Sequence, residues 1–245
     1  MLIAVAGATG VVGSHVVDVA RGRGHEVVPL ARSRGVDLTT GAGLDGLLVG
    51  VDAVVDVTSV RTQRRAGAEA FFGGVTRTLL AAEEAAGVGH HVALSIVGVD
   101  DVASGYYRGK QLQERLVGAA PHGSILRATQ FHEFAEQVLG FASVGPVSLV
   151  PRMLSQPVAA DEVATALVTL AEAGPSGRVP DLAGPERLDM VELARRVSEA
   201  RGLGRRVVGV PVPGAAGRAM RSGVLCPTGD GPRGTTTFAQ WLAGS

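Results

Sequence analysis

The chain lacks the usual marks of a nucleic-acid surface, a disulfide scaffold or a membrane span. Aromatics make up 4% of its 245 residues, too few for a surface that stacks bases. Lys plus Arg and Asp plus Glu both number 23. No block of like charge stands out, so a basic footprint for DNA or RNA is missing. One cysteine, Cys226, can close no intramolecular disulfide and cannot build a zinc site of the usual spacing. It reads as a small buried apolar residue. No apolar run reaches the roughly 18 residues of a membrane helix. Met1 to Gly7 has no basic leader and passes directly into a strand pattern, so it does not read as a signal peptide. A reducing, cytoplasmic location is expected. The expected partner is a small-molecule substrate, with the chain a monomer or homodimer.

Lysine is the sharpest deficit: every basic residue but Lys110 is arginine. What the chain has in quantity is glycine, 35 residues, and apolar side chains, 46%. That is ample core for one large domain, or for one domain with a small appended lobe.

Short apolar runs alternate with helical stretches, the pattern of βαβ units around a parallel sheet. Strands are expected at Leu2 to Ala6, Glu26 to Leu30, Ala53 to Val57, His91 to Ser95 and Ser124 to Arg127. Helices are expected at about Val11 to Arg23, Ala66 to Ala86, Tyr106 to Val117 and Phe131 to Leu139. The second of these ends near Gly87 and Gly89. After Gly145-Pro146 the elements become shorter and Pro-punctuated, with helices at Asp161 to Ala173, at Asp189 to Ala200 and near the C-terminus. The expected fold class is α/β, a Rossmann-type doubly wound parallel sheet over residues 1–145. Residues 146–245 then form a small C-terminal substrate lobe with a soft boundary.

Gly7-Ala8-Thr9-Gly10-Val11-Val12-Gly13 follows the first strand and opens the first helix. Glycines permit the tight turn and close backbone approach to a pyrophosphate, and the helix N-terminus offers free N–H groups. A nucleotide is therefore expected at Gly7, Thr9, Gly10, Val11, Val12 and Gly13. An NAD site would set an acid about 20 residues on, near the end of the second strand. Here that strand runs into Arg32-Ser33-Arg34. A guanidinium fork and a hydroxyl suit a 2′-phosphate, which favours NADP(H) over NAD(H); ordinary solvated loop charges are the alternative.

Tyr106 and Lys110 lie four residues apart and share a helix face. An ammonium in that position can lower the phenol's pKa and anchor a ribose, while the phenol trades a proton with a carbonyl or alcohol. Ser95, ending the preceding strand, can hydrogen-bond the same oxygen. Tyr-x-x-x-Lys alone is a common surface pattern. The glycine turn before it and the retention of lysine at this one position favour the catalytic reading, since arginine does not replace a compact ammonium. His132, Glu133 and Glu136 read as a solvated helix face and not as metal ligands, and no metal is expected. His90 and His91 lead into a buried strand and read as edge residues, not ligands, and His25 reads as a packing or capping residue. Asp161-Glu162 complement a helix N-terminus.

Taken together, the glycine turn, Val36-Asp37-Leu38, Ser95-Ile96-Val97-Gly98-Val99, Tyr106 through Lys110 and Leu126-Arg127-Ala128-Thr129-Gln130-Phe131 resemble the short-chain dehydrogenase/reductase superfamily in its atypical, NmrA-like branch. The resemblance covers nearly the whole chain. It implies that Asp37 and Leu38 lie near the adenine and that Val57 and Thr58 pass the ribose and diphosphate. It makes Ser95, Tyr106 and Lys110 the catalytic trio. Arg127, Ala128 and Thr129 would border the nicotinamide, with Gln130 and Phe131 toward the substrate. Met153 and Phe131 line a substrate pocket or belong to the core. The activity expected is NADP(H)-dependent reduction of a small, mostly apolar carbonyl, quinone or enone. The alternatives are a non-catalytic NADP(H) redox sensor and a cofactor-retaining epimerase or dehydratase.

Overall fold

The structure is a computed structural model that describes residues 1–102 and 104–244. The first elements are β1 (Leu2–Ala6), α1 (Val11–Gly22), β2 (Glu26–Leu30), a 3₁₀ turn (Arg32–Arg34), β3 (Ala53–Asp56) and α2 (Arg65–Ala86). β4 (His90–Ile96), α3 (Gly105–Ala119), β5 (Gly123–Ala128), α4 (Phe134–Gln137) and a second 3₁₀ turn (Val138–Gly140) follow. The chain continues through β6 (Ser143–Val144), β7 (Val147–Pro151), β8 (Leu154–Ser155), α5 (Ala160–Ala173) and β9 (Gly177–Arg178). It closes with β10 (Leu188–Asp189), α6 (Met190–Ala200), β11 (Arg206–Val210), α7 (Gly214–Ser222) and α8 (Phe238–Gly244).

These elements form two compact units. The first comprises residues 1–95, 104–127 and 161–180. It holds a six-stranded parallel sheet in the order β2-β1-β3-β4-β5-β9. β1, β3 and β5 are buried almost end to end, as strands covered on both faces must be. The register aligns Ala6 with Leu30, Ala6 with Asp56, and Asp56 with Ala93. The carboxyl ends of β2, β1 and β3 therefore lie level, and the turns that begin at Ala31, Gly7 and Val57 leave the sheet side by side. α2 ends at Gly87, which takes the left-handed conformation at φ 74°, the capping geometry glycine accommodates without a Cβ clash.

The second unit comprises residues 96–103, 128–160 and 181–245. It contains a three-stranded sheet, β11-β7-β6, and a two-stranded one, β10-β8. Asp189 caps α6 through its carboxylate, which accepts from the amides of Val191 and Glu192. The soft boundary expected at residue 145 does not coincide with the division between the two units. α5 and β9 fall in the first unit, β9 pairing with β5, while residues 128–145 belong to the second. The helix expected from Phe131 to Leu139 is also shorter, because Phe131 forms a β-bridge with Val158 instead. His132 and Glu133 serve the C-terminal helix. His132 packs on Phe238 and Trp241, and Glu133 accepts from the Trp241 indole N–H at 3.2 Å.

Candidate active site

The glycine turn leaves β1 with Gly7 at φ 83°, a conformation that side chains rarely adopt. A Cβ on Gly7 would stand 3.1–3.2 Å from the backbone of Val57 and Thr58, and one on Gly13 would lie 2.1 Å from the Gly7 carbonyl oxygen. The first glycine thus lets β1 turn against the β3 loop, and the third lets α1 start directly behind it. Gly10 occupies the N-cap of α1, no side chain caps the helix, and its first turn carries no acid. The first-turn amides, with the positive end of the helix dipole, are left for an anion. Thr9, Gly10 and Val11 are exposed at this end, while Val12 and Gly13 are buried.

Arg32, Ser33 and Arg34 form the exposed 3₁₀ turn after β2. Asp37 accepts from both the hydroxyl and the amide of Thr39 at 2.6 and 2.9 Å, which lowers its pKa below the ordinary carboxylate value. The Leu38 side chain is buried with Val36, Leu44 and Leu48, so only its backbone can face a ligand.

Tyr106 opens α3. Its hydroxyl shares a 2.9 Å hydrogen bond with Ser59, the residue after Thr58. The loop Val57–Ser59 therefore touches the glycine turn at one point and the phenol at another. Tyr106, and not Tyr107, makes this contact. Burial raises the Tyr106 pKa above its usual value, with the Ser59 hydrogen bond acting against it. The expected lowering of the phenol by Lys110 is not found: burial and the Ser59 hydrogen bond are what move it. The ammonium points elsewhere, donating to the Leu94 carbonyl at 2.6 Å and to Gln113 Oε1 at 2.5 Å. It lies 4.7 Å from the Phe72 ring centroid, and the Tyr106 ring meets the same Phe72 edge-on at 5.3 Å. Burial brings the Lys110 pKa down to about 8, against the opposing charges of Asp56 and Glu114. Ser95 is buried and its hydroxyl has no hydrogen-bond partner among the described residues. An orphaned hydroxyl at a strand's carboxyl end is what a bound oxygen would satisfy.

The remaining candidates divide by what their side chains already do. Arg127 grips Glu114 of α3 with two bonds, at 2.8 and 2.6 Å, and is buried; its guanidinium ties β5 to α3. In the second unit, Ala128 and Thr129 are buried, and the Thr129 hydroxyl donates to the Gln156 carbonyl at 2.6 Å. The Gln130 side-chain oxygen is buried without a hydrogen-bond partner among the described residues. Phe131 is half-buried and Met153 is buried.

Four contributors were missed by sequence reasoning: Ser59, Asp56, Gln113 and the glycines of the α2–α3 contact. A Cβ on Gly105 would sit 2.2 Å from the Gln63 carbonyl oxygen, and one on Gly109 2.6–2.8 Å from Phe72 and Ala68. The Gly105-x-x-x-Gly109 spacing that signals such an approach was present. Gln113, one turn beyond Lys110 on the same face, could have been found the same way. Among the described residues, no group of three or more His, Cys, Asp or Glu is set to hold a metal ion.

Comparison with known proteins bears on the fold. Residues 3–98 match the NAD dependent epimerase/dehydratase family model. A dTDP-4-dehydrorhamnose reductase ortholog from Clostridium acetobutylicum superposes with a TM-score of 0.73 at 16% identity, covering 100% of this chain and 99% of the other. A short-chain dehydrogenase/reductase superfamily protein from Agrobacterium tumefaciens with bound NAD gives 0.68 at 19%, covering 100% and 95%. UDP-N-acetylglucosamine 4-epimerase from Bacillus cereus gives 0.67 at 17%, covering 99% and 96%. No curated protein matches the chain. The chain has the fold of the short-chain dehydrogenase/reductase superfamily, and its first strands and glycine turn match the epimerase/dehydratase family within it. No helix among the described residues is long and apolar enough to cross a membrane.

Proposed function

We propose that the protein is an NADP(H)-dependent oxidoreductase of the NmrA-like branch, acting on a small carbonyl, quinone or enone, with Tyr106 as proton donor. The observation that carries this is the continuity of the loop Val57–Ser59, which packs on the glycine turn and bonds the phenol. One loop thus joins a dinucleotide-binding turn to a proton-bearing group.

The residues fit a nicotinamide dinucleotide. The uncapped α1 terminus would hold the pyrophosphate, Asp37 and the backbone of Leu38 the adenine end, and Arg32 and Ser33 the 2′-phosphate. The dinucleotide supplies the hydride chemistry. Tyr106, a phenol protonated at neutral pH whose pKa burial raises further, gives its proton to the substrate oxygen that gains negative charge, and Ser95 hydrogen-bonds that oxygen. The match over residues 3–98 also supports a second reading, a cofactor-retaining epimerase or dehydratase, in which the same groups act without net consumption of NADPH.

Isothermal titration with NADPH, NADH, NADP+ and NAD+, repeated on Arg32→Ala, tests the proposal. Micromolar NADPH binding that weakens about tenfold or more in the variant, a loss of at least 1.4 kcal/mol, is expected. Failure to bind any dinucleotide would remove the enzymatic reading. Product analysis then separates the two chemistries by whether NADPH is consumed.

A further inference from the structure

Gln113 is fully buried. Its side-chain nitrogen donates to Asp56 Oδ2 at 2.7 Å, and its oxygen accepts from Lys110 Nζ at 2.5 Å. A carboxylate offers only acceptors and an ammonium only donors, so chemistry fixes the amide's orientation between them. Asp56 also accepts from the Thr58 amide and hydroxyl at 2.9 and 2.7 Å. The chain of bonds therefore runs from Lys110 to the residue beside Ser59.

Every element around the ammonium can be named. β3 contributes Asp56, and β4 the Leu94 carbonyl. α2 contributes the uncharged Phe72 ring. α3 contributes Tyr106 one turn away and Glu114, which is committed to Arg127 of β5. Among the described residues, only Gln113 touches both the ammonium and a carboxylate that holds the β3 loop.

We propose that Gln113 is a positioning residue: by bridging Asp56 and Lys110 it pins the chain's only lysine and couples its charge to the Val57–Ser59 loop beside Tyr106. The functional side of this rests on the dinucleotide reading above; the coupling itself does not. Without the amide oxygen, a fully buried ammonium loses one of its acceptors, which disfavours its charged form. Burial already brings Lys110 down to about 8, so that loss would move its titration into the neutral range and leave a large share of it uncharged there. A carboxylate in the amide's place would favour the charge.

The lone lysine makes this measurable without a substrate. Full-length protein grown with ¹³Cε-labelled lysine gives one lysine resonance, whose shift is followed against pH in wild type, Gln113→Met and Gln113→Glu. The midpoint is expected to fall by about one unit in Gln113→Met and to rise by about one unit in Gln113→Glu, a tenfold change in acidity in opposite directions. A purely structural glutamine would weaken both variants without moving the midpoint in opposite senses. Midpoints that stay within about 0.2 unit of wild type in folded variants overturn the proposal. NADPH affinity is measured against pH on the same samples, and a break that follows the lysine midpoint in each variant supports the link to the site. Opposed midpoint shifts without NADPH binding would sink the dinucleotide reading and leave the coupling standing. NADPH binding with unmoved midpoints would do the reverse.

Discussion

The sheet of the first unit buries charge at both ends, and the two ends are built differently. At the carboxyl end, Asp56, Gln113 and Lys110 form a closed network in which donors meet acceptors and the amide's orientation is dictated. At the amino end, Glu83 of α2 and His91 of β4 are both fully buried and share a 2.7 Å bond. His122 approaches Glu83 at 3.5 Å without forming a hydrogen bond, and Glu83 Oε2, His91 Nε2 and His122 Nε2 lack hydrogen-bond partners among the described residues. A satisfied network fixes geometry; a half-satisfied pair contributes stability that depends on protonation. The end with fixed geometry is where parallel sheets bind ligands. The other is a structural ion pair.

Removing Glu83 is the heaviest blow to this contrast. Glu83→Ala takes away the partner of a buried imidazole and should cost about 3–5 kcal/mol, read by denaturant unfolding, with little change in dinucleotide affinity for the folded fraction. Tyr106→Phe should do the opposite. It cuts turnover by about 10² or more, once a substrate is found, and leaves stability nearly untouched. If Glu83→Ala abolished NADPH binding in folded protein, or Tyr106→Phe kept full turnover, the division of labour between the two ends would fail.

The pH dependence sharpens the same contrast. Burial works against the charged form of His91, yet the Glu83 hydrogen bond and charge outweigh it and raise the pKa. The folded state then holds a proton that the unfolded state releases above about 6.5. The resulting stability is full below that value and declines as pH rises through the raised folded pKa. His90, beside it, has its pKa lowered, chiefly by burial, so its contribution has the opposite sign and falls away as pH drops below about 6.5. Unfolding free energies across pH 5–9 should show the alkaline decline in wild type and lose it in Glu83→Gln. An unchanged alkaline slope in that variant would mean His91 does not carry it.

How far the sequence foretold this follows from the range of each signal. β1, the glycine turn and α1 could be read because their cues lie within about a dozen consecutive residues. Tyr106 and Lys110 were found through one helical turn. The direction of the Lys110 ammonium was not, because it depends on Leu94 and Phe72, which are distant in sequence and brought near by packing. Arg127 looked like a ligand-facing charge until Glu114 was placed beside it. Histidines taken for edge residues proved to be core, since a buried imidazole is betrayed only by its partner, and Glu83 reads as an ordinary helix-surface acid. The division into units escaped detection because α5 and β9 return to the first sheet after a long excursion.

The smallest effects distinguish glycines that serve the site from glycines that merely occupy a helix. At Gly109 a new Cβ meets the Phe72 ring at 2.6 Å and the Ala68 backbone at 2.8 Å. Gly109→Ala must therefore push α3 off α2, at about 1–3 kcal/mol, and shift the ring on which Tyr106 and Lys110 rest. Gly74, in α2, would carry a Cβ with nothing within 4 Å. Gly74→Ala removes backbone freedom from the unfolded chain at no steric cost and should stabilise by about 0.5–1 kcal/mol. For a chain this long that is a rise of a few degrees in Tm, about 2–4 °C per kcal/mol, readable by calorimetry. Opposite signs at the two positions would mean that glycine is required where α2 and α3 hold Phe72 and dispensable two residues further along α2. Equal losses at both would mean that α2 is constrained along its length, and the close α2–α3 approach could no longer be credited with setting the phenol and the ammonium on one ring.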